Sequence, residues 1–292
     1  MQRTLILSST LLLLLCSITL PAHAQLDRTP VVSESPVDLP FLSSRIASHY
    51  TVIQADQGEL HSSVMHVFGP IDSGIGNLWG LDMGANVRLS LQYGVTDRFS
   101  LELGRTRTDK VVDLTGRFAL LRQLTTDRMP ISASLVTSAN VMTRRVGFLY
   151  DYSLADRMAW YAALPISRKF GPRFSLQISP EIARFNRMEP ILVLRDPSEQ
   201  TYLSIAAAAR YMVGSSTSVS LLLSRPIGES EGAKPHATLS LDINTGGHVF
   251  QLFLSTSQAL NPAWQIAGEN SDLSDFAFRF GFNINRVFML GD

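Results

Sequence analysis

The feature that most constrains the fold of this chain is an alternation of apolar and polar residues that recurs from about residue 59 onward. In one segment, Leu89 and Leu91 alternate with Arg88 and Ser90. Successive side chains of a β-strand point to opposite faces, so each strand has one face in an apolar medium and one in a polar medium. We therefore predict about twelve amphipathic strands, each long enough to cross a membrane at a tilt. The clearest segments are 86–93, 99–103, 112–120, 131–135, 174–179, 218–223, 239–244 and 276–284, and less regular ones lie near 60–69, 157–170, 201–213 and 248–257.

The connections between these strands fall into two length classes. Short connections lie near residues 95–98, 123–130, 171–172, 214–216 and 245–247. Long connections lie near residues 70–85, 143–156, 185–200, 226–235 and 258–274. The two classes alternate along the chain, and only the short connection near 106–110 breaks the rule. Outer-membrane barrels have short periplasmic turns and long external loops, so the sorting predicts a barrel with both chain ends in the periplasm.

Aromatic residues tend to lie at the ends of the predicted strands, as in the aromatic girdles of membrane barrels. The predicted periplasmic ends carry Tyr93, Phe99, Phe170, Phe174, Tyr211, Phe250 and Phe282. The predicted external ends carry Phe68, Trp160, Tyr202 and Phe276. Phe118, Phe278 and Phe280 fall between the two girdles.

A secreted β-sandwich is the main alternative, because its strands alternate in the same way. Its solvent face would carry more Lys and Glu, whereas the polar face here is mostly Ser, Thr, Asn and Gln. Lysine occurs only at Lys110, Lys169 and Lys234, and charged residues make up 17% of the chain. Long strands in meander order also close naturally, which removes exposed edges. The predicted fold class is therefore all-β, a closed antiparallel up-and-down transmembrane β-barrel of about 12 strands.

Residues 1–24 have the pattern of a secretory signal peptide. Arg3 precedes an apolar stretch at residues 5–20, and the triplet Ala22-His23-Ala24 predicts cleavage before Gln25. An uncleaved membrane anchor is the alternative. A lipoprotein is not expected, because Cys16 follows Leu15 rather than a small residue.

Residues 25–58 contain prolines at 30, 36 and 40 and no sustained period, so we predict a periplasmic lead-in, partly ordered or folded into the lumen. Residues 59–292 form the predicted outer-membrane barrel. Within it, Pro180 cannot donate a ladder hydrogen bond, so its strand must bulge, end early or leave that position unpaired. A helical membrane protein is not expected, because the longest apolar stretch of the mature chain, 203–213, is broken by Arg210.

Four segments resemble a domain-of-unknown-function family of Bacteroidota-type outer-membrane β-barrel proteins. They are residues 43–46 (SSRI), 80–82 (GLD), 93–105 (YGVTDRFSLELGR) and 247–261 (GHVFQLFLSTSQALN). The resemblance implies an outer-membrane barrel of uncharacterised role, and it carries over no catalytic residue. The C-terminus departs from the usual barrel ending: Phe282 and Ile284 are followed by eight further residues. Either the insertion signal is internal or the final strand extends to Phe288.

If the apolar faces contact lipid, eight charged residues line the lumen. One interpretation is a polar channel whose opposed charges orient a solute. The other, which small filled barrels favour, is a set of ion pairs that hold the interior together. The balance of signs argues against a strongly ion-selective pore, and many small serines leave space for water. The candidate lumen-lining residues are Arg88, Glu102, Asp113, Arg117, Glu181, Arg210, Asp242 and Arg279.

We predict no enzyme, no cofactor and no metal site. The outer-membrane phospholipases share the barrel architecture, but here only His248 lies in a family-like segment, and we expect it to cap a turn. There is no His-Glu-x-x-His motif and no phosphate loop. His61 and His66 lie on opposite strand faces, which makes a poor metal pair. Residues 72–82 lack calcium-loop spacing, and we expect an external loop that folds over or into the mouth.

The expected function is a passive pore or small-solute transport barrel. The alternative is a plugged structural or interaction barrel that binds a periplasmic or surface partner through its loops or N-terminal segment. Expected partners are outer-membrane lipid, the periplasmic chaperone and barrel-assembly machinery, and a small solute. Nucleic acid is not expected, because the formal net charge is zero.

Overall fold

The computed structural model describes residues 34–145, 152–187, 201–228, 233–268, 273, 275 and 277–290. The predicted signal peptide, its cleavage site and Phe276 lie outside these residues. Within the described part of the chain, no helix is long and apolar enough to cross a membrane.

The chain forms a closed antiparallel β-barrel of twelve strands, as predicted. Each strand pairs with its neighbours in sequence, and the last strand pairs with the first, which closes the sheet. A short hairpin, β1 (Arg45–Ile46) and β2 (His49–Tyr50), forms a separate two-stranded sheet. The barrel strands are β3 (Glu59–Pro70), β4 (Asn86–Thr96), β5 (Phe99–Thr106), β6 (Val111–Leu121), β7 (Ser132–Met142), β8 (Met158–Ala163) with its continuation β9 (Ile166–Phe170), β10 (Phe174–Phe185), β11 (Thr201–Met212), β12 (Thr217–Ile227), β13 (His236–Asn244), β14 (His248–Ser255) and β15 (Arg279–Met289).

The alternation of the sequence matches the two faces of the wall. On β4, Leu89 is 52% exposed on the outside, whereas its neighbour Arg88 is completely buried inside. The same in–out pattern continues through β10 and β11, where buried and exposed residues alternate along most of each strand. The outer surface is therefore a band of exposed leucine, isoleucine, valine and aromatic side chains, which suits a lipid environment.

Two prolines explain the break between β8 and β9. Pro180 lies within the continuous strand β10, opposite the point where β8 ends and β9 begins. Its carbonyl oxygen accepts a hydrogen bond from Leu164 N at 3.1 Å, and Pro165 O accepts one from Ser134 N at 3.0 Å. In an antiparallel pair the N–H and C=O of one residue face the same neighbour, so the missing N–H of Pro180 faces the break. Pro180 therefore neither ends nor bends its strand, because the neighbouring strand is interrupted there.

The two ends of the barrel differ in their connections. At one end, which we call the turn end, the strands are joined through residues 97–98, 122–131, 171–173, 213–216 and 245–247. At the other end, the loop end, they are joined through residues 71–85, 107–110, 143–157, 186–200, 228–235 and 256–278. The connection at 107–110 remains the short exception. The first barrel strand, β3, begins at the turn end, and the last, β15, finishes there at Met289.

Two of the predicted girdle aromatics are placed differently from the expectation. Tyr202 is 1% exposed and points into the lumen, where it packs edge-on against Phe185. Phe282 lies near the loop end rather than the turn end, and it stacks against His66. Tyr202 is an exception because apolar side chains also pack inside this lumen, and Phe282 is one because β15 continues seven residues beyond it to Met289.

Candidate functional site

The eight charged residues predicted to line the lumen all lie on the inner face of the wall and are at most 9% exposed. The structure brings three of them into one network. Arg88 Nη2 lies 2.9 Å from Glu102 Oε1 and 2.8 Å from Asp113 Oδ1. Gly104 makes room for this network, because a Cβ built there would overlap the Arg88 guanidinium. Strands β4, β5 and β6 thus share a compact buried ion cluster.

The other charged residues have separate partners. Glu181 accepts a hydrogen bond from the Tyr161 hydroxyl at 3.1 Å. Asp242 accepts hydrogen bonds from Ser220 and Ser240 at 2.9 and 2.6 Å. Arg210 donates to Ser175 Oγ at 3.3 Å, Arg279 donates to Thr256 O at 2.6 Å, and Arg117 donates to Thr51 O at 2.6 Å. The charges of the lumen are engaged in contacts with neighbouring side chains and backbone.

The chain itself fills the lumen from the turn end. Residues 40–55, which we call the N-terminal insert, lie inside the barrel and include the β1–β2 hairpin. Arg45 extends the ion cluster, with its Nη2 at 2.6 Å from Glu102 Oε1. Its guanidinium carbon also lies 3.7 Å from the centre of the Tyr50 ring, in cation–π geometry. The predicted lead-in is therefore folded into the lumen from residue 40 onward.

Polar side chains from the wall bind the backbone of the N-terminal insert. Gln177 accepts from Val52 N at 3.1 Å and donates to Tyr50 O at 2.9 Å. Backbone groups buried away from water need such partners, and here the wall supplies them in place of a sheet. Further contacts come from Gln92 to Ala55 N at 3.3 Å, Ser134 to Val52 O at 3.1 Å, Gln251 to Arg45 O at 2.9 Å and Asn283 to Ala47 O at 3.1 Å.

Sequence reasoning did not single out these wall amides. Gln92, Gln177, Gln251 and Asn283 were only part of a polar face. The sequence feature that distinguishes them is a long amide side chain on a face otherwise rich in serine. An amide can both donate and accept, so it can bind an irregular backbone segment that enters the barrel.

A second segment fills the lumen from the loop end. Residues 256–268, which we call the loop insert, follow β14 and contain the short helix α1 (Pro262–Ile266). Asn261 caps this helix by accepting a hydrogen bond from Ala263 N at 3.0 Å. Trp264 packs edge-on against Phe185 at a centroid distance of 5.0 Å, and its Nε1 donates to Asp109 Oδ2 at 2.7 Å.

The Gly-rich connection expected at the mouth does not fill it. In residues 71–85, the side chains of Ile75, Leu78 and Trp79 are at least half exposed. The loop insert occupies that position instead, within an apolar cluster that also contains Tyr202. The two inserts meet inside the barrel, where Ser48 donates a hydrogen bond to Gln265. Together they contact inner-face residues of nearly every strand, so the lumen is filled.

Comparison with known proteins assigns the wall and both inserts to one family. Residues 41–288 match the model of a family described as a membrane bound beta barrel domain (DUF5777). The chain belongs to this family. The match begins within the N-terminal insert and ends within β15, so both inserts lie inside the family domain.

Solved structures of outer-membrane proteins align with most of this chain. The COG4313 outer membrane channel from Pseudomonas putida F1 aligns with a TM-score of 0.50 and 13% identity, over 81% of this chain and 97% of the channel. The NanC porin aligns with a TM-score of 0.48 and 11% identity, over 79% and 98% of the two chains. At 13% identity, the similarity to the channel concerns the fold alone. No curated protein matches the chain significantly.

The described part of this DUF5777 barrel contains no group of three or more His, Cys, Asp or Glu residues that could hold a metal ion. His248 lies beside the turn at residues 245–247, where its ring stacks on Phe250. A Gly-x-Ser-x-Gly pattern does occur in the sequence at residues 228–232. It connects the antiparallel strands β12 and β13, whereas a nucleophile elbow joins a strand to a helix. The pattern therefore gives no reason to assign a hydrolase.

Proposed function

We propose that this protein is an outer-membrane transport barrel for small solutes, and that the filled lumen is its closed state. The observation that carries this proposal is the way the N-terminal insert is held. Besides burying Phe41, Ile46 and Tyr50, the wall binds it through hydrogen bonds, the Arg45–Glu102 ion pair and a His49–Glu181 contact at 3.3 Å, and water can replace these polar contacts when the insert moves. Each such hydrogen bond contributes only about 0.5–1.5 kcal/mol net, because the unpaired groups become hydrated.

The charges of the wall support a removable insert. Arg88 keeps its contacts with Glu102 and Asp113 whether or not Arg45 is present. With Arg117 included, the wall on this side carries two basic and two acidic groups. Removing a partner from a buried ion pair is costly when a charge is left uncompensated. Here Glu102 stays paired with Arg88 when Arg45 withdraws. The insert can therefore leave at a lower free-energy cost than if Arg45 were the sole partner of Glu102.

The proposed location follows from the sorting of the connections. Short turns face the periplasm and long loops face outward in outer-membrane barrels, so the N-terminal insert would enter from the periplasmic side. This orientation fits a chain exported by a signal peptide cleaved after Ala24 and inserted by periplasmic chaperones and barrel-assembly machinery. A Bacteroidota origin belongs to the same proposal.

Single-channel recording in planar bilayers tests the proposal. The wild-type barrel is expected to show brief, discrete openings from a closed baseline. A variant lacking residues 34–55, in which only the loop insert remains to close the lumen, is expected to open more often and with a larger conductance. Heat-modifiable migration in SDS gels controls for folding. Silence of both proteins, with the barrel folded, would contradict transport.

The second candidate is a structural or interaction barrel. The apolar packing of the loop insert favours it, because Trp264 and its neighbours form a buried apolar cluster in the loop-end half of the lumen. This function predicts that the deletion variant stays silent and that a periplasmic or surface protein co-purifies with the full chain. Loss of that partner on deletion of residues 34–55 would place its binding site on the N-terminal segment.

A further inference from the structure

A polar cavity opens at the turn end, between the N-terminal insert and strands β3, β4, β14 and β15. Its volume is about 380 Å³, and its inner part reaches the Arg45–Glu102 ion pair. We call it the turn-end cavity. It lies where a solute would arrive before the insert moves, and it shares Gln92 and the Arg45–Glu102 ion pair with the contacts that hold the insert.

Gln54 is the unexplained group in this cavity. Its side chain is 8% exposed, and neither Oε1 nor Nε2 has a hydrogen-bond partner among the described residues. It also lines a second cavity of about 300 Å³ on the other side of the insert. Buried amides in native proteins are normally hydrogen-bonded, so an amide without a protein partner that faces a cavity is available to hydrogen-bond a ligand there. Its two atoms offer one acceptor and two donors at a single point.

The remaining lining indicates the kind of ligand. The ionised groups at the rim already have neighbours: Asp56 pairs with Arg122 at 2.8 Å, Glu59 contacts His61 at 2.8 Å, and the Arg286 guanidinium carbon lies 4.5 Å from the centre of the Phe288 ring. A charged solute would have to compete with these pairs. Most of the other polar lining consists of neutral hydroxyl and amide side chains, namely Ser43, Ser44, Ser62, Ser63, Ser90, Gln92, Asn244 and Asn285.

We propose that the turn-end cavity binds a neutral, hydroxyl-rich solute of sugar size, with Gln54 as its central hydrogen-bonding group. Adjacent hydroxyls of such a solute can donate to Oε1 and accept from Nε2 at the same time. The apolar side chains of Leu39, Leu42 and Ile53, which also line the cavity, can contact its C–H faces. This inference rests on the proposed transport function and names its substrate class.

The test is equilibrium binding to the full-length barrel, measured by isothermal titration calorimetry in lauryldimethylamine oxide, a detergent without a sugar headgroup. The probes are glucose, sorbitol and sucrose, with gluconate as the charged counterpart of sorbitol, since both are open-chain. We expect at least one neutral probe to bind, and gluconate to bind about tenfold more weakly than sorbitol, the loss of roughly one hydrogen bond at the carboxylate end. Failure of all three neutral probes to bind would overturn the proposal, and so would equal or tighter binding of gluconate.

Substitutions locate the site. Gln54→Leu is expected to weaken binding of the neutral probe about tenfold, the loss of roughly one buried hydrogen-bonding group. The matched control is Gln57→Leu, an exposed glutamine three positions away, which should bind as the wild type does. Unchanged binding by Gln54→Leu would overturn the assignment of Gln54.

A second variant separates loss of the cavity from displacement of the insert, in case Gln54→Leu displaces the insert. Ser90→Val changes the cavity from the wall and leaves the insert sequence intact, and it should weaken the same probe. If Ser90→Val binds as the wild type does, the cavity is not the site. Bilayer recordings separate the two proposals. A barrel that opens but binds no neutral probe contradicts this inference alone, and one that binds but never opens contradicts the transport function alone.

Discussion

The two inserts fill the same lumen with different chemistry. The N-terminal insert is held by wall amides, an ion pair and a cation–π contact, with Arg45 and Tyr50 at its centre. The loop insert carries no charged residue and is held by apolar packing around Trp264 together with hydrogen bonds to the barrel, such as Asn261 Nδ2 to Asn140 Oδ1 at 2.7 Å and Asn86 Nδ2 to Gln258 O at 2.9 Å. The N-terminal insert also buries apolar side chains: Phe41 and Ile46 pack against alanines of β11, and Tyr50 lies in the same cluster as Trp264.

This difference suggests which insert can move. Apolar burial is lost in full when a segment leaves for water, whereas hydrogen bonds to the wall are exchanged for hydrogen bonds to water. We therefore expect the charged N-terminal insert to withdraw more readily than the loop insert, which must also shift before a continuous path opens. The predictions below test this contrast, starting with the largest expected effect.

Removing the main apolar contact of the loop insert should destabilise the whole barrel. Trp264→Ala is expected to lower the free energy of unfolding by about 3–5 kcal/mol, because it leaves a cavity beside Phe185. Urea unfolding in detergent measures the change. Trp264→Phe keeps most of the aromatic packing and loses the hydrogen bond to Asp109, so its free energy of unfolding should fall much less. An effect of Trp264→Ala below that of Trp264→Phe would mean that the loop insert is not part of the stable interior.

The contrast assumes that the wall presents its apolar face to lipid. Leu241→Arg is expected to cost about 2–4 kcal/mol in lipid vesicles if that position lies near the bilayer midplane. Leu89→Arg on β4 should behave in the same way. Ser240 and Ser90 are the inner-face neighbours for comparison. If only arginine at those serines lowered the stability, the assignment of the inner and outer faces would be reversed.

Loosening the N-terminal insert should change its mobility more than the stability of the barrel. Arg45→Met removes the ion pair with Glu102. We expect the free energy that holds the insert in the lumen to fall by about 1.5–3 kcal/mol. The rate of chymotrypsin cleavage at Phe41 and Tyr50 should then rise roughly 10- to 100-fold. The control is Arg128→Met, which removes an exposed pair with Glu34 and should leave cleavage unchanged. Unchanged cleavage in Arg45→Met would show that the ion pair does not hold the insert.

At the end of the N-terminal insert the chain passes very close to β4, and a glycine on β4 allows this close approach. A Cβ built at Gly94 would overlap the carbonyl group of Asp56, so Gly94→Ala must push the end of the insert away from β4. We expect a cost of about 1–3 kcal/mol and faster cleavage of the insert. Gly116→Ala is the matched control, because a Cβ there meets its neighbours only at 3.7 Å or more. Equal behaviour of the two variants would show that the close approach at Gly94 is unimportant.

The wall could be predicted from sequence because alternation and loop length are local, repeated signals. Leu89 and Arg88 already indicated opposite faces, and the eight charged residues followed from that rule. The interior could not be predicted in the same way. Tyr202 was assigned to a girdle because an apolar residue on the inner face is unexpected unless an apolar segment packs there. The loop insert shows no period, and only its sequence Asn261-Pro262 signals a helix start.

The most direct test of the central claim is a reversible crosslink between the N-terminal insert and the wall. Ser134 Oγ lies 3.1 Å from Val52 O, which places the two residues on facing segments, and mass spectrometry verifies the disulfide between cysteines at these positions before recording. Single-channel conductance of Val52→Cys/Ser134→Cys is recorded before and after reduction, with each single substitution as a control. The oxidised barrel is expected to stay silent, and discrete openings should return on reduction. Openings of equal size and frequency in the oxidised barrel would contradict the claim, because ions would then pass while the insert is held in place.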